Sequence, residues 1–118
     1  MTDGRATVHA VYLACKAMDA LSLAALVAVN GFLVEDGGGE VATHGSPVHD
    51  PTEIARLLLA VLAERDLSEV SVNGSPGLVA RDHGRVTAVA CITVSDDLVS
   101  EVWLTLNPAK LASWNRIT

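Results

Sequence analysis

The sequence lacks a long apolar run, a leader segment and any feature that suggests a membrane. No stretch approaches the roughly 18 uninterrupted apolar residues of a membrane helix. The longest candidate, Ala20 to Phe32, is interrupted by Ser22, Asn30 and Gly31. The first five residues, Met1 to Arg5, are not followed by the apolar segment of a secretory signal. These absences predict a cytoplasmic protein without a membrane partner.

Clusters of basic residues and paired cysteines are also lacking. There are 14 acidic and 8 basic residues, which gives a net charge of −6, and the basic residues are scattered along the chain. Because neutralising phosphates requires a basic face, no direct nucleic-acid partner is expected. Cys15 and Cys91 lie within apolar runs and lack the CxxC spacing of metal and redox sites. They are interpreted as buried free thiols, and no cofactor is expected.

The chain has 118 residues, which is enough for one domain, and its sequence shows three helical patterns. Apolar spacing predicts a first helix over residues 6–17. Asp19 precedes a second helix over residues 20–28, which is rich in alanine and leucine. The third helix begins at Asp50-Pro51-Thr52-Glu53, where an N-cap acceptor is followed by proline at the first helical position. A single domain over residues 1–118 is therefore predicted.

Strand patterns fill the remaining sequence. Two short runs, 32–35 and 40–43, flank the glycine-rich turn 36–39 and predict a hairpin. Turn residues recurring about every ten positions then predict a four-strand antiparallel meander. Its strands cover residues 69–72, 76–81, 85–94 and 98–106, and residues 110–114 form a helical turn or a tail. The order predicts an α+β fold, with a curved mixed or antiparallel six-strand sheet around three helices and a conical interior.

The last strand shows the alternation of a sheet with two different faces. Val99, Glu101, Trp103 and Thr105 are predicted on one face, and the intervening apolar residues on the other. Trp103 then lines the pocket if its face is concave, or meets a partner protein if its face is convex. Both placements remain open at this point.

Three segments resemble a known family. They are Val34-Glu35-Asp36-Gly37-Gly38-Gly39-Glu40, then Val72-Asn73-Gly74 with Gly77-Leu78-Val79, and Leu106-Asn107-Pro108-Ala109-Lys110-Leu111. With the element order, they resemble the SnoaL-like branch of the nuclear-transport-factor-like, cystatin-like cone fold. Within that branch they are most similar to the C-terminal extension of extracytoplasmic-function sigma factors. The resemblance covers about residues 11–114. In that family the first motif usually ends in lysine and the last contains aspartate, where this chain has Glu40 and Ala109.

The resemblance implies a regulatory module that packs beside the promoter-reading regions of a sigma factor and modulates transcription. A sigma factor or RNA polymerase is then the expected partner, and a homodimer through the sheet face is expected as well. The promoter-reading regions are absent from this sequence. Two interpretations remain open: an excised extension of a longer sigma factor, and a free-standing relative that begins at Met1. The candidate protein-contact residues are Asp36, Gly37, Gly38, Gly39, Glu40, Asn107, Pro108 and Lys110.

The cone also suggests a pocket open to a small apolar ligand. Its candidate lining residues are Tyr12, Phe32, Val34, His44, Leu58 and Trp103. The alternative function is a small isomerase or cyclase acting by proton transfer on a polyketide-like or steroid-like substrate. In that alternative Asp36 or His44 moves the proton and Tyr12 holds a developing enolate. No catalytic residue is assigned, and His44 with His49 lacks the third ligand of a metal site.

Overall fold

The computed structural model describes residues 4–39, 43 and 45–115. In chain order these form α1 (Arg5–Lys16), α2 (Ala20–Ala25), β1 (Val27–Asp36), α3 (Pro51–Leu62), β2 (Asp66–Val72), β3 (Ser75–Asp82), β4 (Arg85–Ser95), β5 (Leu98–Thr105) and α4 (Pro108–Asn115). The predicted α+β class is confirmed.

Two helices begin where the sequence predicts. The Ser22 amide donates to Asp19 Oδ1 over 3.1 Å at the start of α2, and Asp50 caps α3 with Pro51 in its first turn. α2 ends at Ala25, three residues earlier than predicted, because the chain enters β1 at Val27. The Val99 amide donates to the Leu26 carbonyl over 2.8 Å, so pairing with β5 ends the helix.

The sheet has the strand order β1-β5-β4-β3-β2. The predicted meander forms the antiparallel part of this sheet. Each of its turns contains two consecutive residues with positive φ. Such turns match the right-handed twist of antiparallel strands. β1 lies at the edge and runs parallel to β5, with Asp36 opposite Thr105. Parallel pairing therefore joins the first strand to the last, and the sheet is mixed.

The predicted six-strand count is replaced by five strands within the described residues. Residues 40–42 of the predicted second hairpin strand lie outside the described residues, and Thr43 belongs to no strand. Val48 instead forms an isolated antiparallel bridge with Leu33, with both N–O distances at 2.9 Å. Among the described residues, the free edge of β1 is thus paired at one position, Leu33, through this bridge.

The core lies on the inner face of the sheet, which we define as the face toward α1, α2 and α3. Side chains of all five strands and three helices meet there with almost no exposure. Among the largest are Leu23, Leu33, Ile54, Leu58, Leu62, Leu78, Ile92 and Leu104. Aliphatic side chains therefore pack together on the inner side of the sheet, where the conical interior is predicted.

A second, smaller cluster lies on the opposite face, which we call the outer face. Val72, Val79, Val86 and Val89 are buried there beneath Leu111 of α4. The segment predicted as a helical turn or a tail is thus a two-turn helix packed on the sheet. We call these four side chains the valine cluster.

A bulge in β5 changes the predicted alternation. Thr93 of β4 pairs with Glu101 and Val94 pairs with Val99, so Ser100 is the additional residue. Because one extra residue reverses the faces, Val99 is buried in the core with Val102. The prediction that Val99 shares a face with Trp103 is wrong for this reason.

Candidate functional site

The two outer motifs of the sequence meet at one corner of the domain. β1 ends at Asp36 beside the end of β5, and the Leu106 amide donates to the Asp36 carbonyl over 2.7 Å. The chain then passes through Asn107 into α4. We call the loop 36–39 together with residues 107–110 the latch. Parallel pairing of the first and last strands brings these segments together across most of the sequence.

The Asp36 carboxylate is the centre of the latch. Its Oδ2 lies 2.5 Å from Lys110 Nζ, and its Oδ1 accepts a hydrogen bond from the Gly38 amide over 3.1 Å. The Asn107 side-chain amide lies 3.5 Å from the same Oδ1. The pairing with Lys110 is the main cause that lowers the pKa of Asp36. Because the folded pKa is lowered, the ion pair is present above the unfolded-state pKa and is lost as pH falls through the folded value.

Asn107 joins the loop to the helix. Its Oδ1 accepts a hydrogen bond from the Ala109 amide over 3.0 Å, as expected of a residue that caps a helix. A β-carbon placed on Gly38 would overlap the Asn107 side chain, and the φ of Gly38 is +64°. Glycine is therefore required at position 38 for both its conformation and its size.

Most of the predicted contact residues belong to this latch. Asn107 and Lys110 each contact the Asp36 carboxylate, whereas Gly38 and Pro108 are exposed beside them. Gly37 is buried and Gly39 is exposed. Glu40 lies outside the described residues. Two of the three segments that carry the resemblance thus form one surface, and their role in protein contact stays a prediction.

The other end of α4 is held by a contact that the sequence analysis missed. The Val86 amide donates to Asn115 Oδ1 over 2.7 Å, and Asn115 Nδ2 donates to the Val86 carbonyl over 3.1 Å. One side-chain amide therefore bonds both backbone groups of a sheet residue. Nothing in the local sequence indicates this role, because Asn115 and Val86 come together only when α4 lies on the sheet.

The described candidate pocket residues lie on both faces of the sheet. Phe32, Val34 and Trp103 belong to the outer face, since their neighbours Leu33, Val102 and Leu104 point into the core. Trp103 is 48% exposed and contacts the Glu101 carboxylate. The Phe32 ring lies 6.1 Å from that of His49.

The remaining pocket candidates lie elsewhere. Leu58 of α3 is 1% exposed within the core. Tyr12 of α1 packs against the core and stacks with His9 at a ring separation of 6.0 Å. His44 is outside the described residues. The five described candidates are thus divided between the two sides of the sheet.

A cavity of about 540 Å³ lies at the margin of the sheet, near the β2–β3 turn. Val8, Val70 and Pro76 supply apolar surface, and Arg5 and Glu69 supply charge. Glu69 Oε2 lies 2.9 Å from His9 Nδ1, which ties β2 to α1. The full lining is Arg5, Val8, Glu69, Val70, Ser71, Gly74, Ser75, Pro76 and Gly77. None of these residues is among the pocket candidates predicted from the sequence.

Two of the residues considered for proton transfer, Asp36 and Tyr12, lie on opposite sides of the sheet. Asp36 belongs to the outer face and is paired with Lys110, whereas Tyr12 lies on α1 against the inner face. Asp36 and Tyr12 therefore cannot act on the two ends of one small substrate.

Burial raises the pKa of the Cys15 thiol to about 11, which keeps it protonated at neutral pH.

The described ranges contain no group of three or more side chains suited to hold a metal ion. Within the same ranges, none of the helices has the length and apolarity required to cross a membrane.

Comparison with known proteins identifies the fold. No protein-family model matches the sequence, and no curated protein matches it. The extracytoplasmic function sigma factor SigJ of Mycobacterium tuberculosis is similar in structure, with a TM-score of 0.73, 21% identity and 95% of this chain covered. This chain spans only 45% of SigJ.

Two further structures extend the comparison. IdmH of Streptomyces antibioticus, a candidate polyketide cyclase, has a TM-score of 0.62 and 16% identity, with 95% of this chain and 97% of IdmH covered. A Xanthomonas campestris protein described as having a cystatin-like fold has a TM-score of 0.59 and 12% identity, with 98% of this chain and 100% of that chain covered. The chain therefore has the cystatin-like fold of nuclear-transport-factor-like proteins, as the sequence predicted.

Proposed function

We propose that this chain is a non-catalytic regulatory module that modulates transcription by contacting a sigma factor or RNA polymerase. The observation that carries the proposal is the convergence of the Asp36 loop and the Asn107–Lys110 turn into one latch. Both motifs resemble those of sigma-factor extensions, and SigJ is similar in fold. A partner in transcription would place the protein in the cytoplasm.

The alternative, proton transfer on a polyketide-like or steroid-like substrate, is supported by the fold likeness to IdmH. The positions of the candidate groups favour the regulatory function instead. An ion-paired Asp36 with a lowered pKa is a poor base at neutral pH, and Tyr12 lies across the sheet from it. The cavity beside Val8 has a volume suited to a small ligand, and we place any ligand of the module there.

The contact proposal is tested by adding bulk to the latch without breaking its ion pair. Ala109 is the exposed second residue of α4, and Ala6 is the exposed second residue of α1. We expect Ala109→Arg to weaken binding to immobilised RNA polymerase holoenzyme or sigma factor from the native host by about tenfold, because the larger side chain blocks close approach at an interface centre. Binding is measured by biolayer interferometry.

Ala6→Arg is the matched control, since it adds the same side chain at the same helical position on α1. It should leave binding within about twofold of the unsubstituted chain, as for most surface substitutions. Absence of binding to every transcription component, or equal losses in the two variants, would contradict the proposal.

We also propose that the outer face forms a homodimer. Trp103 is 48% exposed, and its in-register neighbours Val34 and Cys91 are half-buried. Exposed aromatic and apolar side chains of this kind favour the cores of protein interfaces. α4 covers the neighbouring part of the same face, which limits the interface to the β1, β5 and β4 side.

Trp103→Lys should convert the dimer to a monomer, because a charge cannot be buried unpaired at the interface. The molar mass is measured by light scattering after size exclusion. Leu21→Lys is the control, since Leu21 is 86% exposed on α2. A monomeric parent protein, or a dimer that persists in Trp103→Lys, would rule out this interface.

A further inference from the structure

α4 is a short helix that owes its conformation to docking. Of its eight residues, Leu111 is buried. An isolated helix of fewer than about 12 residues is marginal in water, so α4 is helical because it is packed on the sheet. Its removal would expose the valine cluster, whose members are now at most 7% exposed. The segment therefore covers an apolar groove that is preformed by the strands.

Polar side-chain contacts hold α4 at its two ends. Lys110 pairs with Asp36 at the first end, and Asn115 bonds to the Val86 backbone at the second. The Lys110 side chain is 65% exposed, so salt and competing charges reach the ion pair. Between the two ends, Leu111 alone enters the valine cluster. These are the features of a segment that opens locally before the rest of the domain.

We infer that the groove beneath α4 is a helix-docking site and that α4 is its displaceable resident. The fitting partner is an amphipathic helix with a leucine-sized side chain directly preceded by lysine or arginine. The apolar side chain enters the valine cluster, and the cation pairs with Asp36. An amide side chain one turn further on replaces Asn115 at Val86. This inference rests on the proposed regulatory function and adds a second step to it: the partner first contacts the intact latch, and its helix then replaces α4 in the groove.

The groove is tested with a peptide that has the sequence of residues 107–115 and carries a fluorescent label. In the Lys110→Glu variant, the resident helix is repelled by Asp36, whereas the added peptide still offers lysine. We expect fluorescence anisotropy to show at least about tenfold tighter peptide binding to this variant than to the parent, because a competing resident lowers the apparent affinity. A peptide with aspartate in place of Leu111 should not bind.

A reversed ion pair supplies the discriminating control. The double variant Asp36→Lys with Lys110→Glu restores attraction between its own helix and groove, and its groove repels the lysine of the peptide. It should lose the gain in peptide binding. Lys16→Glu makes the same charge change at the end of α1 and should behave as the parent.

Hydrogen exchange of the unsubstituted protein tests the resident helix directly, without any variant. The amides of α4 should exchange at least about a hundredfold faster than those of β3 and β4, since local opening requires less free energy than global unfolding. Equal exchange rates in α4 and the strands, or no peptide binding to Lys110→Glu, would overturn the inference. Neither assay uses a transcription component, so failure here is distinct from failure of the proposed function.

Discussion

Replacing Leu58 with alanine should lower the free energy of unfolding by about 2–5 kcal/mol, the range for a buried leucine whose removal leaves a cavity. Leu58 is 1% exposed and packs in the core between α3 and the inner face. The same replacement at a residue that lines an open pocket would lower the free energy of unfolding far less, because water already contacts that side chain. Urea unfolding followed by circular dichroism measures the difference.

Leu21→Ala is the matched control for this experiment. Leu21 is 86% exposed on α2, so the same truncation there should change stability by no more than about 0.5 kcal/mol. A loss below about 1 kcal/mol in Leu58→Ala would show that its site is open rather than filled, and would restore the predicted role of Leu58 as a pocket residue.

Replacing Gly77 with alanine should cost about 3 kcal/mol, the upper end of the usual range for an overpacked site. A β-carbon at this position would lie 2.5 Å from the Ala90 carbonyl oxygen and 2.7 Å from Val72 Cγ2. The carbonyl belongs to the neighbouring strand, which pairs with β3 through Gly77 and Cys91. The backbone must therefore shift, and the hydrogen-bonded ladder between β3 and β4 is disturbed.

Ser75→Ala is the control in the same strand, because Ser75 is exposed and already carries a β-carbon. It should leave the midpoint of urea unfolding nearly unchanged. If Gly77→Ala is equally neutral, the close approach of the two strands is wrong. Faster hydrogen exchange in β3 and β4 of Gly77→Ala would locate the damage in the ladder.

The elements predicted well are those specified by neighbouring residues. Asp50 and Pro51 determine where α3 begins through a capping contact and a fixed φ. The Asn73-Gly74 turn has positive φ at both residues, which asparagine and glycine tolerate best. In such cases the physical cause lies within a few residues, so the sequence contains most of the necessary information.

The features that were missed depend on pairing between distant segments. The register of β1 against β5 decides that Phe32 and Val34 belong to the outer face, and neither strand contains a local signal for that register. The bulge at Ser100 and the docking of Asn115 on Val86 arise in the same way. The marginal cavity combines α1 with the β2–β3 turn, so no single motif indicates it.

Most residues of the latch were predicted from the sequence, but the contact between them was not. Asp36 and Lys110 were both named from the resemblance, and the structure shows that they bond to each other. Whether two motifs contact the same partner or each other depends on where the strands bring them. That placement follows from the parallel β1–β5 pairing, which sequence patterns did not reveal.

The same pairing has a consequence for synthesis of the chain. Asp36 pairs with Thr105, which emerges from the ribosome about 70 residues later. The pairing is therefore delayed by several seconds at typical rates of elongation. Until then the edge of β1 that pairs with β5 lacks that partner, and its backbone groups are open to association with other nascent chains. Mutations that delay the pairing of β5 with β1 should therefore reduce the yield of native protein more than they reduce its stability once folded. A chaperone that shields strand edges should restore that yield.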